Sequence, residues 1–386
     1  MMNRFGTVFL AFFLMMCSPG IAQDRPAINI PDVLGFKTLT GDLHTHTVFS
    51  DGHVWPTIRI EEAWREGIDI IAITDHVEST NLFRLKSVFG DDLEVDREGG
   101  FSPDRNRPFE IANEVAVRRD VVALSGVEIS RTMPPGHHNA IFLTDANKVN
   151  TPHPQWKEAF QAAREQGAFI FWNHPASFSY PETTTLWWEE HSWLHENDMM
   201  HGIEVVNGRN YNPVAHQWAL EKNLAIIANT DIHGPVGMSY AIHEGEKRTM
   251  TIIFAKERSL DSIKEALFAR RTMAFFDNKL IGHRDFLDAI FHNSISIESV
   301  RRTENGFQVI INNPTDVPFE LSRAEDNDTA LTFFETKLLP AGKQTTIRIY
   351  TDNPDSYSRV DLNVIADNLI MAPGEGLPVT LSFIPE

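Results

Sequence analysis

The sequence predicts an α/β protein: a closed or nearly closed β/α barrel followed by a small all-β sandwich of Ig-like type. Up to about Phe291, short apolar runs alternate with amphipathic stretches. Beyond that point the chain turns to closely spaced β-rich runs without helices between them. The chemistry changes too, because all sixteen histidines lie between His44 and His292.

With 386 residues, 42% of them hydrophobic, the chain can bury one large core and a smaller second one. Residues 1–22 have the layout of a signal peptide: one basic residue, Arg4, an apolar stretch from Phe5 to Cys17, then small residues to Ala22. That stretch is shorter than the ~20 residues of a membrane span. Cleavage after Ala22 would take away the only cysteine, Cys17, and export the protein across the inner membrane to the periplasm. A lipid anchor on Cys17 is the competing reading, opposed by the bulk of Met16 before it. With Arg4 gone, the formal net charge moves from −19 to −20. So acidic a chain is a poor partner for duplex nucleic acid, which needs a basic field, and no stable membrane insertion is expected. Small anionic substrates remain possible, because a bound cation reverses the local potential.

Residues 27–291 are expected to form the barrel. The runs "IDIIAIT", "VVALSGVEI", "AIFL", "GAFIFW", "GIEVV" and "LAIIAN" have the length and polar flanks of buried strands. Between several of them lie "TIRIEEAWREG", "PFEIANEVAVRRD", "QWKEAFQAAREQG" and "PVAHQWALEKN", which read as helices. Gly67 and Gly167 stand where two of these end, as left-handed caps would. Strand-then-helix units imply a parallel sheet, and this length favours closure into a barrel. Lys86–Pro108 reads as a polar insertion. Residues 292–386 carry "ISIESV", "GFQVIINN", "TTIRIYT", "SRVDLNVIA" and "LPVTLSFI", separated by turn signals such as "ENG" and "PAGK".

Polar groups follow the apolar runs. His44 and His46 come first, in "LTGDLHTHTVFSDGH"; "IIAIT" ends in Asp75-His76 and "VVALSGV" in Glu128. "GAFIFW" leads to Asn173-His174-Pro175, and "LAIIAN" to Asp231 and His233. Barrel strands deliver such residues to one mouth. Gathered there, the carboxylates would be costly to desolvate unless divalent cations neutralised them. His-x-His and Asp-x-His place both side chains on one face of a strand, since side chains alternate with period two. After cleavage no cysteine remains, so a metal would be held by imidazole and carboxylate.

The segments "GDLHTHTVFSDG", "AITDH", "SGVEIS", "GHHNAIF", "WNHP" and "NTDIH" resemble the successive motifs of the polymerase-and-histidinol-phosphatase (PHP) superfamily. The resemblance spans Phe36 to Phe291. It implies a distorted (β/α)7 barrel holding two or three divalent ions, of manganese, zinc or iron, and hydrolysis of phosphoesters. Carried over by motif, one ion takes His44, His46, Glu128 and Asp231; a second shares Glu128 and adds His137 and His174; a third takes Asp51, His76 and His233. His53 is the alternative to Asp51, and His138 to His137. The segments "PPGHHNAIF", "FIFWNHP" and "HGIEVVNG" resemble a bacterial branch acting on small organic phosphodiesters.

The mechanism so implied is attack by a hydroxide bridging two cations ~3.5–4 Å apart. Glu128, Asp231 and His233 then stand nearest the reaction, with Arg131 and Arg209 as candidates to hold the phosphoryl group. A phosphomonoesterase of histidinol-phosphate or nucleotide type is the alternative on the same site. Asp42 and Asp75 are candidates to orient imidazoles, or else to cap the chain. Glu78 is a candidate to touch a metal-bound water, while His201 and His216 read as structural or packing histidines. Trp172, Trp187, Trp188 and Trp193 would either wall an apolar pocket or pack a helix on the barrel.

Overall fold

The computed structural model describes residues 25–78, 104–151, 155–175 and 186–385. The expected signal peptide and most of the expected polar insertion lie outside them. Among the described residues, no helix is long and apolar enough to cross a membrane.

Seven strands make the barrel: β1 (Lys37–Asp42), β2 (Ile70–Ile73), β3 (Val122–Ile129), β4 (His138–Ile141), β5 (Phe169–Trp172), β6 (Gly202–Asn207) and β8 (Ala225–Asn229). β1, β2 and β3 are parallel neighbours, as are β5, β6 and β8. β7 (Asn210–Tyr211) is a short hairpin partner of β6. The ring closes past the strands' carboxyl ends, where Thr45 forms a parallel bridge with Ile232. There the Asp231 amide donates to the His44 carbonyl at 3.0 Å and the His46 amide to the Ile232 carbonyl at 3.1 Å. The closing hydrogen bonds therefore belong to the residues carrying the histidines.

One strand departs from the expected pattern. β4 runs antiparallel between β3 and β5. Only the segment 130–137 separates β3 from β4, and a parallel return needs a crossover of roughly a dozen residues or more. This reversal is what distorts the barrel.

Helices α1 (Pro56–Glu66), α2 (Arg107–Arg119), α3 (Trp156–Glu165), α4 (Glu189–Glu196) and α5 (Pro213–Glu221) lie between the barrel strands. Gly67 and Gly167 end their helices at φ 78° and 70°, in the region that favours glycine. α2 begins at Arg107, so the expected insertion's last residues are helical.

After β8 the chain makes an antiparallel meander of β9 (Met250–Ala255), β10 (Thr272–Phe276) and β11 (Lys279–Gly282), with α6 (Leu260–Phe268) between the first two. β9 joins the barrel through β1. Then comes α7 (Arg284–Ser294), so the boundary expected near Phe291 falls inside a helix. The second domain has one sheet of β12 (Ser296–Thr303), β13 (Gly306–Asn313) and β16 (Lys343–Tyr350). Facing it are β14 (Phe319–Arg323), β15 (Thr336–Leu339), β17 (Val360–Ala372) and β18 (Glu375–Phe383). Alternate residues of β13 and β18 point inward, as two stacked sheets require.

The domains share structure. β17 pairs in parallel with β11, matching Leu280 to Leu369 and Ile281 to Ile370. One apolar core runs from Ile60, Phe254 and Phe275 through Phe291 to Phe307, Phe319 and Leu362. Phe291 meets Phe319 edge-on, with ring centroids 5.1 Å apart. Deleting everything after Ser294 is therefore expected to yield insoluble protein, since it bares a strand edge and an apolar face together. A soluble, cooperatively melting barrel from that truncation would contradict the shared core.

Candidate metal centre

Nine side chains converge at the carboxyl ends of the barrel strands: His44, His46, Asp51, His76, Glu128, His137, His174, Asp231 and His233. Their ligand atoms form four overlapping groups, each lying within 4.8 Å. Glu128, the penultimate residue of β3, is at the centre. Its Oε1 lies 3.0 Å from His137 Nδ1 and 3.2 Å from His174 Nε2. Its Oε2 lies 3.5 and 3.3 Å from the Nε2 atoms of His44 and His46. These two nitrogens are themselves 3.1 Å apart, and they reach Asp231 Oδ1 at 3.2 and 3.1 Å. On the open side, Asp51 Oδ2 is 3.3 Å from His76 Nε2 and 3.1 Å from His233 Nε2, while its Oδ1 is 3.5 Å from His46 Nδ1.

Local backbone geometry serves this convergence. His174 and Asp231 sit at φ 30° and 54°, uncommon for residues with side chains and held here by their surroundings. Gly52 lets the loop carrying Asp51 fold back on the β1 extension, for a Cβ there would lie 2.5 Å from His46 C and Thr47 N.

The donor set fits divalent ions. Burial pushes the Glu128 and Asp231 carboxyls up, but neighbouring imidazoles outweigh it and hold both below the usual carboxylate range. Burial pushes His76 down, yet Glu128 and Asp51 raise it to about 10. His44 is raised as well, burial being overcome by Asp231, Glu204 and Glu128. The site thus keeps its carboxylates ionised and draws positive charge inward. Glu128 Oε2 is buried and accepts no well-directed hydrogen bond, although His76 Nδ1 lies 2.9 Å away. Such an atom, beside imidazole nitrogens that face one another, suits a cation.

A buried carboxylate behind the cluster decides how His44 presents itself. Glu204, fully buried in β6, lies 2.9 Å from His44 Nδ1, and an imidazole that donates to it there, with a cation in the cluster, would present its Nε2 lone pair toward Glu128 and Asp231. It also accepts from the His174 amide at 2.7 Å, Asn229 at 2.9 Å and Asn207 at 2.9 Å. The sequence reading missed Glu204. The available signal was a single charged residue inside the otherwise apolar "GIEVV". Asn173, which donates to Glu128 Oε1 at 3.0 Å, supports the central carboxylate in a similar way.

A solved two-domain protein from Bacteroides vulgatus, described as containing a predicted PHP-like metal-dependent phosphoesterase, superposes with a TM-score of 0.84 at 43% identity. The match covers 94% of this chain and 100% of that one. The chain belongs to the PHP-like metal-dependent phosphoesterases. A family model described as an Ig-like domain, DUF5001, matches residues 294–382 of the phosphoesterase. A metal-dependent phosphoesterase from Bifidobacterium adolescentis, so described with reserve, matches at 16% identity and a TM-score of 0.39, covering 50% of this chain and 88% of its own. An amidohydrolase from Chromobacterium violaceum matches at 17% and 0.36, covering 52% and 89%. Those two are too distant to bear on the argument. No curated protein matches the chain.

The structure separates the candidate residues of the phosphoesterase into those that enter the cluster and those that do not. His137 enters the cluster, whereas His138 is buried outside it, against Phe160 and Trp172. Asp51 enters and His53 does not, its side chain being exposed. Neither arginine reaches the cluster. Arg131 is ion-paired with Glu78 and donates to Thr151 at 3.2 Å. Arg209 donates to the Ser239 carbonyl at 2.8 Å and pairs with Glu246 at 2.6 Å. Glu78 is correspondingly occupied by Arg131 and by the Ser130 amide. Asp42 binds Thr230 and Arg248, and Asp75 binds Thr47 and Ser50, so both brace loops rather than imidazoles.

His201 accepts from the Ile170 amide and His216 meets the Tyr211 hydroxyl, both in structural roles. Three of the four tryptophans pack α4 on the barrel: Trp172 is fully buried against His191 and Trp218, Trp187 meets Trp172 and His191, and Trp193 meets Trp156, while Trp188 is exposed at the start of α4.

Proposed function

We propose that this phosphoesterase is a phosphodiesterase acting on small organic phosphodiesters, exported by its apolar amino-terminal segment to the periplasm. One observation carries the preference: among the described residues, no lysine or arginine is ion-paired to Asp51, Glu128 or Asp231, and the two expected arginines are engaged elsewhere. A monoester carries an additional negative charge and favours a more basic pocket. The phosphomonoesterase reading remains the alternative on this site.

In this reading His44, His46, Glu128 and Asp231 would hold one ion, Glu128, His137 and His174 a second, and Asp51, His76 and His233 a third. Bound divalent ions, of manganese, zinc or iron, supply Lewis-acid polarisation of phosphoryl oxygens and acidify water. Glu128 serves two of these sets at once, because its two oxygens face different histidines. Glu204 fixes the His44 tautomer, and Asn173 fixes the Glu128 carboxylate. Asp51 and His233, 50% and 36% exposed, form the rim past which substrate enters. With no cysteine besides Cys17 and no Gly-x-Ser-x-Gly segment, the chain favours direct attack by water over a covalent enzyme intermediate.

Metal-reconstituted protein should be assayed side by side on bis(p-nitrophenyl) phosphate and p-nitrophenyl phosphate. The diester is expected to turn over with a kcat/KM higher by roughly tenfold or more. A marked preference for the monoester would transfer the assignment to the alternative.

A further inference from the structure

We infer that Arg59 is a positioning residue that sets the geometry of the outer, most solvent-exposed ion site, where Asp51, His76 and His233 gather beside His46. The inference rests on the reading of this cluster as metal-binding. α1 turns Pro56, Arg59, Ile60 and Ala63 toward the barrel, so an arginine occupies the stripe where an apolar residue is expected. Arg59 is fully buried, and burying an unpartnered guanidinium would be costly. Four of its hydrogen bonds go to main-chain carbonyls. Nε donates to His46 O at 2.9 Å, Nη1 to Gly234 O at 2.9 Å, and Nη2 to Ile232 O at 2.9 Å and His233 O at 3.0 Å.

These carbonyls belong to two separate segments, one carrying His46 and Asp51 and the other His233. A planar fork with fixed donor directions therefore sets the separation between ligands that are remote in sequence. Glu62, one helical turn on, completes the arrangement: it pairs with Arg59 at 2.8 Å and accepts from the Val236 amide at 2.8 Å. The inner histidine His44 is fixed by Glu204 instead. Arg59 also braces His46, which the proposed scheme gives to a neighbouring ion, so its loss should be felt most at the outer ion, less at the ion His46 holds and not at the ion of His137 and His174.

The test is metal titration and elemental analysis of Arg59→Lys beside wild type, with hydrogen exchange on both metal-free proteins. Lysine keeps the charge and removes the fork. The expected result is loss of the most weakly held ion, or an affinity for it lower by about tenfold or more, with a smaller shift at a second ion and at least one tighter ion unchanged. Faster exchange should be confined to residues 46–53 and 232–236. Unchanged affinities, or equal weakening of every ion, would overturn the inference by making Arg59 a bystander or a general fold determinant. If Arg59→Lys fails to fold, Glu62→Gln carries the same test, with a smaller shift expected, greatest at the same ion, and the same two results overturning it. Wild-type protein that binds no divalent ion would instead sink the metal reading itself.

Discussion

Changing His44 and Asp231 together to alanine is expected to abolish both metal content and phosphoester hydrolysis, with turnover falling by about 10³-fold or more. The two side chains meet at 3.2 Å beside His46 and Glu128, so the double variant strips one set to a single imidazole and a shared carboxylate. Elemental analysis and the diester assay read the two losses separately. Neither residue belongs to the main apolar core, so the metal-free variant should still melt cooperatively. Retained turnover in a folded double variant would be incompatible with this centre.

Glu204→Gln should weaken metal binding by about 10- to 100-fold, although Glu204 touches no ion in the proposed scheme. Its four partners are all donors: His44 Nδ1 and Asn229 Nδ2 on one oxygen, the His174 amide and Asn207 Nδ2 on the other. A glutamine must turn an amide nitrogen toward two of them. Either His44 shifts its proton to Nε2, where the cation is needed, or the His174 amide is left without an acceptor. Metal titration monitors the affinity, and thermal melting of the metal-free protein should show a lower Tm than wild type. Wild-type affinity in this variant would show that the tautomer of His44 is set by something else.

Much of the centre was legible because its ligands are placed by local rules. His44 and His46 flank Thr45, whose parallel bridge to Ile232 carries the strand pattern past β1, and the carboxyl ends of barrel strands bring successive motifs to one mouth, although Asp231, at φ 54° beyond β8, does not follow the strand period expected of Asp-x-His. The arginines were not legible in the same way. Arg131 and Arg209 stand close to cluster residues in sequence, but a side chain several bonds long turns to whichever carboxylate or carbonyl lies nearest in space. Arg59 escaped notice because, apart from Glu62, its partners are main-chain carbonyls, which leave no mark in a sequence.

By itself, the sequence determined the two-domain division and the alternation of strands and helices, which follow from periodicity and composition; the ligand set came from the resemblance of its motifs, with the choices between Asp51 and His53 and between His137 and His138 left open. Tertiary structure alone decided between His137 and His138, since neighbours on a strand face opposite sides and only the pairing of β4 with β3 and β5 selects the inner one. It also decided that β17 extends the barrel's sheet and that Glu204 stands behind His44. Those outcomes depend on contacts between residues as many as 160 positions apart, for which local pattern carries no information.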